Sequence, residues 1–143
     1  MSSSSAICID ANILIQLVIG GAQATQITNL WTSWHEAEHP LIAPTLLYYE
    51  ISNAVHRYVL QGLLLPEQAD KALATALSFD IALHTEANLH QRAIILARQF
   101  SLPAAYDAHY LALAEHVNAE FWTTDRRLAR VVQTTLPWVH LVE

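Results

Sequence analysis

The chain has one cysteine, one lysine, three glycines and only seven basic residues among its 143 positions, and each shortage closes off a class of explanation. A lone cysteine, Cys8, excludes an internal disulfide, a cysteine-rich zinc site and a C-x-x-C redox pair. Between Ile7 and Ile9 it reads as a small buried hydrophobe rather than a nucleophile. The sole lysine, Lys71, sits mid-helix and follows no glycine-rich loop, so no G-x-x-x-x-G-K-[ST] phosphate cradle exists. Gly20-Gly21 falls short of the G-x-G-x-x-G that a dinucleotide fold places after a strand. Eight histidines invite a zinc reading, yet H-E-x-x-H is absent, and so is the G-x-S-x-G of a nucleophile elbow. His109 and His116, seven apart, share a helix face, which at this composition points to partial burial rather than ligation.

The shortage of positive charge matters as much. Thirteen acidic residues against seven basic ones leave a formal charge of −6, which argues against general electrostatic adhesion to nucleic acid and requires any such contact to be local. Arg126, Arg127 and Arg130 hold three of the seven basic residues within five positions, most simply as a solvated helix face. Uninterrupted apolar runs stay far below the ~18 residues of a membrane span, and residues 1–6 carry no positive charge ahead of an apolar stretch as a secretory leader would. A cytoplasmic protein with no membrane segment is expected.

What the chain does have is apolar content, 53% against 14% charged, enough to bury a sizeable core in one domain. A flexible segment is expected over 1–5, where Ser2 to Ser5 follow the first residue, and a single domain over 6–143. Ala6 to Ile9 reads as a buried strand feeding a helix that opens at Ala11. Helical spacing over Thr25 to Ala37 ends at His39-Pro40; Leu41 to Ala43 is a second strand. A helix opens at Pro44-Thr45, with Thr45 as N-cap, and runs to about Leu60 with Gly62 just past its end. Helices follow over Pro66 to Leu77, Ala87 to Phe100 and Ala104 to Val117, with a short strand at Phe79 to His84. Phe121 to Thr124 is a strand, Asp125 to Gln133 a short helix and Trp138 to Val142 a last strand. Short apolar strands alternating with helices predict an α/β fold with a parallel sheet covered on both faces, its ligand site at the strand C-termini.

Most of the acids are explained by solvation; four are not. Asp10 ends the first strand and Asp125 follows the fourth, so both reach the same sheet edge, although a strand-end Asp is often only a helix N-cap. Glu50 and Asp107 lie near helix starts among apolar residues, where an ionised carboxylate needs a partner. Salt bridges to Arg57 or Arg92 are one solution; a hard divalent cation on oxygen ligands is the more natural one for four acids with so few bases.

In order, Ile9-Asp10-Ala11-Asn12, Glu50-Ile51-Ser52-Asn53-Ala54, Tyr106-Asp107-Ala108-His109-Tyr110-Leu111-Ala112-Leu113-Ala114 and Thr123-Thr124-Asp125-Arg126-Arg127-Leu128 resemble the PIN domain, and more narrowly the VapC toxin ribonucleases of toxin–antitoxin pairs. The resemblance implies a PIN-like three-layer α/β/α sandwich with a central, mostly parallel sheet. It implies a Mg2+- or Mn2+-dependent endoribonuclease whose catalytic and metal-binding acids are Asp10, Glu50, Asp107 and Asp125, supported by Asn12 and Thr123, which match the family's D-x-N and T-x-D motifs. One or two such ions would lower the pKa of a bound water and offset charge on the departing oxygen. Arg126 and Arg127 are candidate RNA-phosphate contacts. It further implies a homodimer and a cognate VapB-like antitoxin. The sequence departs from the usual pattern at Trp122, where a smaller aliphatic residue is commoner.

The alternatives are a housekeeping PIN nuclease for RNA processing and a catalytically silent PIN binding module. A phosphoacceptor receiver domain also clusters acids at strand ends, but it wants paired acids after the first strand and a late lysine, and here Asp10 stands alone and Lys71 is mid-chain.

Overall fold

The structure, a computed structural model, describes residues 5–143; of the expected flexible segment, residues 1–4 lie outside the described residues. Five strands and seven helices are described: β1 (Ile7–Ile9), α1 (Ala11–Ile19), α2 (Ala24–Glu36), β2 (Leu41–Pro44), α3 (Leu46–Leu60), α4 (Pro66–Ser78), β3 (Ile81–His84), α5 (Asn88–Gln99), α6 (Tyr106–Val117), β4 (Glu120–Thr123), α7 (Arg126–Val132) and β5 (Val139–Leu141). The strands form one sheet in the order β3-β2-β1-β4-β5, every neighbouring pair parallel. The α/β reading is therefore realised, and β1 is the central strand.

All three residues of β1 are buried, as a strand covered on both faces requires. The period of two along β4 sends its side chains to opposite layers. Phe121 packs against Tyr110 of α6, with centroids 5.8 Å apart, while Trp122 meets Trp34 of α2 edge-on at 5.7 Å. Thus α6 lies over one face and α2 over the other. The core joins both layers through the sheet, with Ile27, Leu47, Ile51, Leu96, Leu111 and Leu113 fully buried.

Helix ends follow local chemistry. Gly20, at φ 113°, stops α1 in a conformation that L side chains rarely adopt. Asn118 ends α6 in the left-handed region. Two expectations are corrected. Pro44 is the last residue of β2, paired with His84, rather than the opening of a helix. Thr45 stands before α3 but makes no side-chain cap bond; its N–H goes to the His84 carbonyl at 3.3 Å, tying the helix start to β3 instead.

The chain fills the sheet from β1 outward to β3 and then returns to the other side of β1 for β4 and β5. The order reverses beside β1, and that is where open parallel sheets place ligands.

Candidate functional site

Asp10 and Asp125 leave adjacent strands at this reversal and behave differently. Asp10 occupies the N-cap position of α1 but makes no cap bond. Its Oδ2 instead accepts a 2.7 Å hydrogen bond from the Thr123 hydroxyl, whose oxygen accepts the Asp125 N–H at 3.0 Å. Thr123 is buried and Asp10 nearly so. Burial pushes the Asp10 pKa up to about 7 against the opposing pull of the Thr123 bond, and the charges of Asp107 and Glu50 push the same way as burial. Asp125, by contrast, is exposed and caps α7, its Oδ1 accepting the Leu128 N–H at 3.1 Å. For Asp125 the plain capping role is real, and it faces the site as well.

Glu50 comes from the second turn of α3 and Asp107 from the first turn of α6. The Tyr110 hydroxyl donates to Glu50 Oε1 at 2.6 Å. Burial raises the Glu50 pKa, that hydrogen bond lowers it, and Asp107 raises it again. Asp107 is raised by its own burial and then by Asp125. All four acids line one cleft of about 500 Å3, together with Asn12, whose amide donates to the Thr124 hydroxyl at 2.6 Å.

The cleft also contains residues not singled out from sequence. Asn53, Ala54 and Arg57 follow Glu50 at i+3, i+4 and i+7, one stripe of α3, and all line it. That helical spacing was the available signal. Arg57 considered only as a salt-bridge partner is thus a cleft residue. Arg92 is not a partner of the acids: its guanidinium forks onto Glu115 at 2.6 and 2.9 Å. Arg126 and Arg127 are exposed on the first turn of α7, next to Asp125 in sequence but outside the cleft lining. Trp122 is outside it too, stacked on His140 at 4.8 Å with its indole N–H on Glu120, so the unusual residue shapes the opposite face of the sheet.

Among the described residues no three carboxylate, imidazole or thiol groups are gathered as a finished metal cage. The donor chemistry of the cleft nonetheless fits a hard divalent cation: four carboxylates, raised by burial and mutual repulsion at Asp10, Glu50 and Asp107, face one arginine. Ligation requires the carboxylates to draw closer together.

A parallel five-stranded α/β/α sandwich with acids at the reversal point defines a class, and the comparison with family models agrees: residues 7–133 match the PIN domain, and the chain belongs to that family. Among individual proteins, it is 35% identical over 86 residues to Ribonuclease VapC3 of Pyrobaculum aerophilum, a match covering 59% of this chain and 65% of that relative's length. The fold is shared with a toxin–antitoxin complex from Klebsiella pneumoniae (TM-score 0.65, 21% identity, covering 94% of this chain and 95% of that one). It is shared equally with VapBC2 from Rickettsia felis bound to a promoter DNA fragment (TM-score 0.68, 15% identity, 95% and 96%).

Proposed function

We propose that residues 6–143 act as one unit, a metal-dependent endoribonuclease and the toxin of a VapBC-type pair in the cytoplasm. The observation that carries this reading is the convergence of Asp10, Glu50, Asp107 and Asp125 on one cleft at the sheet reversal. Asp10, Asp107 and Asp125 would hold Mg2+ or Mn2+, with Glu50 as a further ligand or proton acceptor. Such an ion would lower the pKa of a bound water and supply positive charge beside a phosphodiester.

The chain's own residues do the rest. Thr123 fixes one oxygen of Asp10, and the Asp125 amide fixes the threonine in turn, so Asp10 is aimed without rotating. Tyr110 occupies Oε1 of Glu50 and leaves Oε2 to accept the proton of the attacking water. Arg57 offers positive charge at the cleft wall, and Arg126 and Arg127 offer it outside, for the flanking phosphates.

The reading includes a homodimer and a VapB-like antitoxin. Trp34 is buried and Trp31 and Tyr58 are partly so, while Leu60 is open. Leu60 is joined by Leu63 and Leu65, also exposed, at the end of α3 and along its connection to α4, and these exposed apolar side chains support a protein partner. No helix among the described residues is long and apolar enough to cross a membrane.

The test is RNA cleavage with Mn2+ or Mg2+ and with chelator, by the wild type and by Asp10→Asn and Asp107→Asn. Activity should need the metal and fall by at least about a hundredfold in either variant, because Asn keeps the shape and removes the charge. Cleavage at the wild-type rate by nuclease-free Asp10→Asn protein would sink the mechanism.

A further inference from the structure

A second cavity of about 500 Å3 opens on the same sheet edge, over the ends of β2 and β3, and the mechanism above uses none of its residues. Two bare aromatic rings line it, Tyr49 at 74% and Tyr106 at 64% exposed. Each directly precedes an acid of the cleft, Glu50 and Asp107. Consecutive Cα atoms lie about 3.8 Å apart, so cavity and cleft adjoin through the first turns of α3 and α6.

The polar groups of this cavity have assignable protons. His84 Nδ1 is 3.0 Å from Glu86 Oε1, and a carboxylate only accepts, so Nδ1 carries hydrogen. His109 Nδ1 is 2.8 Å from the Ala105 carbonyl, which also only accepts, so Nδ1 donates and the neutral tautomer this bond selects has Nε2 as an acceptor. His90 Nδ1, 2.9 Å from it, must donate. In their neutral forms His84 and His90 thus both keep Nε2 as a hydrogen-bond acceptor, in a cavity flanked by aromatic rings.

Aromatic rings with acceptors beside them match an unpaired nucleobase. We propose that this cavity is a base-recognition subsite, in which an unpaired adenine or cytosine stacks on Tyr49 and Tyr106 and donates its exocyclic amino group to the imidazole Nε2 atoms. The proposal rests on the nuclease reading for its placement, one step along the strand from the phosphodiester in the acid cleft. Stacking is tolerant of sequence and supplies affinity. The imidazoles supply choice, since uracil and guanine present a carbonyl oxygen where cytosine and adenine present N–H2, and oxygen against a bare ring nitrogen is repulsive.

The experiment is fluorescence anisotropy of labelled pentanucleotides C5, U5 and A5 with the full chain in chelator, where repulsion from the acid cleft is common to all three. C5 and A5 should bind about tenfold tighter than U5, and Tyr106→Ala should weaken all three by about tenfold. His90→Phe, which keeps a ring and removes one of the two acceptors, should narrow the gap between C5 and U5 severalfold. Equal binding of C5 and U5 by the wild type, or an unchanged preference in His90→Phe, overturns the proposal. So does a Tyr106→Ala protein that sediments as a monomer where the wild type is a dimer yet binds the pentanucleotides normally, because the cavity is then a protein interface. The two readings fail separately: base-selective binding without any RNA cleavage refutes the nuclease and keeps the subsite, and cleavage without base-selective binding does the reverse.

Discussion

Two cavities share one edge of this sheet, and their polar groups meet on opposite terms. Over β2 and β3, partners are complementary: His84 bonds Glu86, and His90, His109 and the Ala105 carbonyl form a chain of donor and acceptor. Over β1 and β4, neighbours are alike: Asp10 is opposed by Asp107 and Glu50, and Asp107 by Asp125. In the first region the groups that meet complement one another and leave only imidazole Nε2 atoms to accept. The second is left with repulsion that the chain itself does not fully relieve, which is the feature the proposed cation would answer.

The largest expected effect tests that asymmetry directly. Excess Mn2+ should raise the melting temperature of the wild type by several degrees, since a ligand at a hundred times its Kd adds about 2.7 kcal/mol to the native state. Asp107→Asn should lose most of the rise, and His90→Phe should keep it. Scanning fluorimetry with chelator and then metal measures this; equal rises in both variants would mean that the ion sits elsewhere.

The pH signatures of the two regions should also diverge. Asp10, at about 7 in the folded chain against roughly 3.9 unfolded, binds its proton more readily in the native state, and Glu50 and Asp107 are shifted in the same direction. The native state therefore holds more protons over that window, and metal-free stability should rise as pH falls from 7.5 toward 5. Glu86 has the opposite shift, lowered first by its hydrogen bond to His84, so its contribution persists across the window and is lost only as pH falls through its depressed folded value. Denaturant midpoints at pH 5, 6, 7 and 8 check this. Asp10→Asn should be flatter than wild type and more stable at pH 8; a steeper profile would contradict the origin assigned to the repulsion.

The same contrast explains how much was legible in the sequence. Each strand is a short apolar run with a break after it, and a parallel sheet requires that pattern, so β1 to β5 could be located from residue type alone. Asp10 and Asp125 were legible because a strand end fixes where they emerge. What escaped depends on faces. Arg57 lies a full two turns from Glu50 and, though exposed, lines the cleft because it shares that stripe of α3, which the spacing allows and the packing of α3 against α1 decides. Trp122 departs from the usual pattern next to Thr123, but the alternation of β4 gives the site's face to Thr123 and sends the indole toward α2. Thr45 holds the N-cap position without a side-chain cap bond, and its N–H bonds the His84 carbonyl, a contact between residues 39 positions apart that no local pattern contains.

A smaller effect should come from Tyr110, the residue through which the core reaches the cleft. Its ring is fully buried and its hydroxyl is held by Glu50. Tyr110→Phe should cost roughly 1–3 kcal/mol while Glu50 is ionised and loses a bond to its charge, and less once falling pH protonates Glu50. Cleavage should fall with it, and its pH profile should shift upward because the bond that lowers Glu50 is gone. A stability loss that does not vary with pH would assign Tyr110 a packing role alone.

The smallest effect separates the cleft from its surroundings. Arg127 is exposed on α7, outside the cleft lining, whereas Arg57 lies within it among the acids. Removing Arg127 should leave the melting temperature and the Mn2+ response unchanged while weakening RNA binding severalfold and reducing the slope of log affinity against log salt by about one. Removing Arg57 should enlarge the Mn2+ response while weakening RNA affinity, because it deletes positive charge from a cleft already dominated by carboxylates, and the acids' pKa values should rise further. Anisotropy titrations at several salt concentrations, paired with melting curves, distinguish the two. If Arg57→Ala and Arg127→Ala change only the salt slope and by the same amount, Arg57 is one more solvated charge, and the repulsion in the cleft is not tempered by the chain itself.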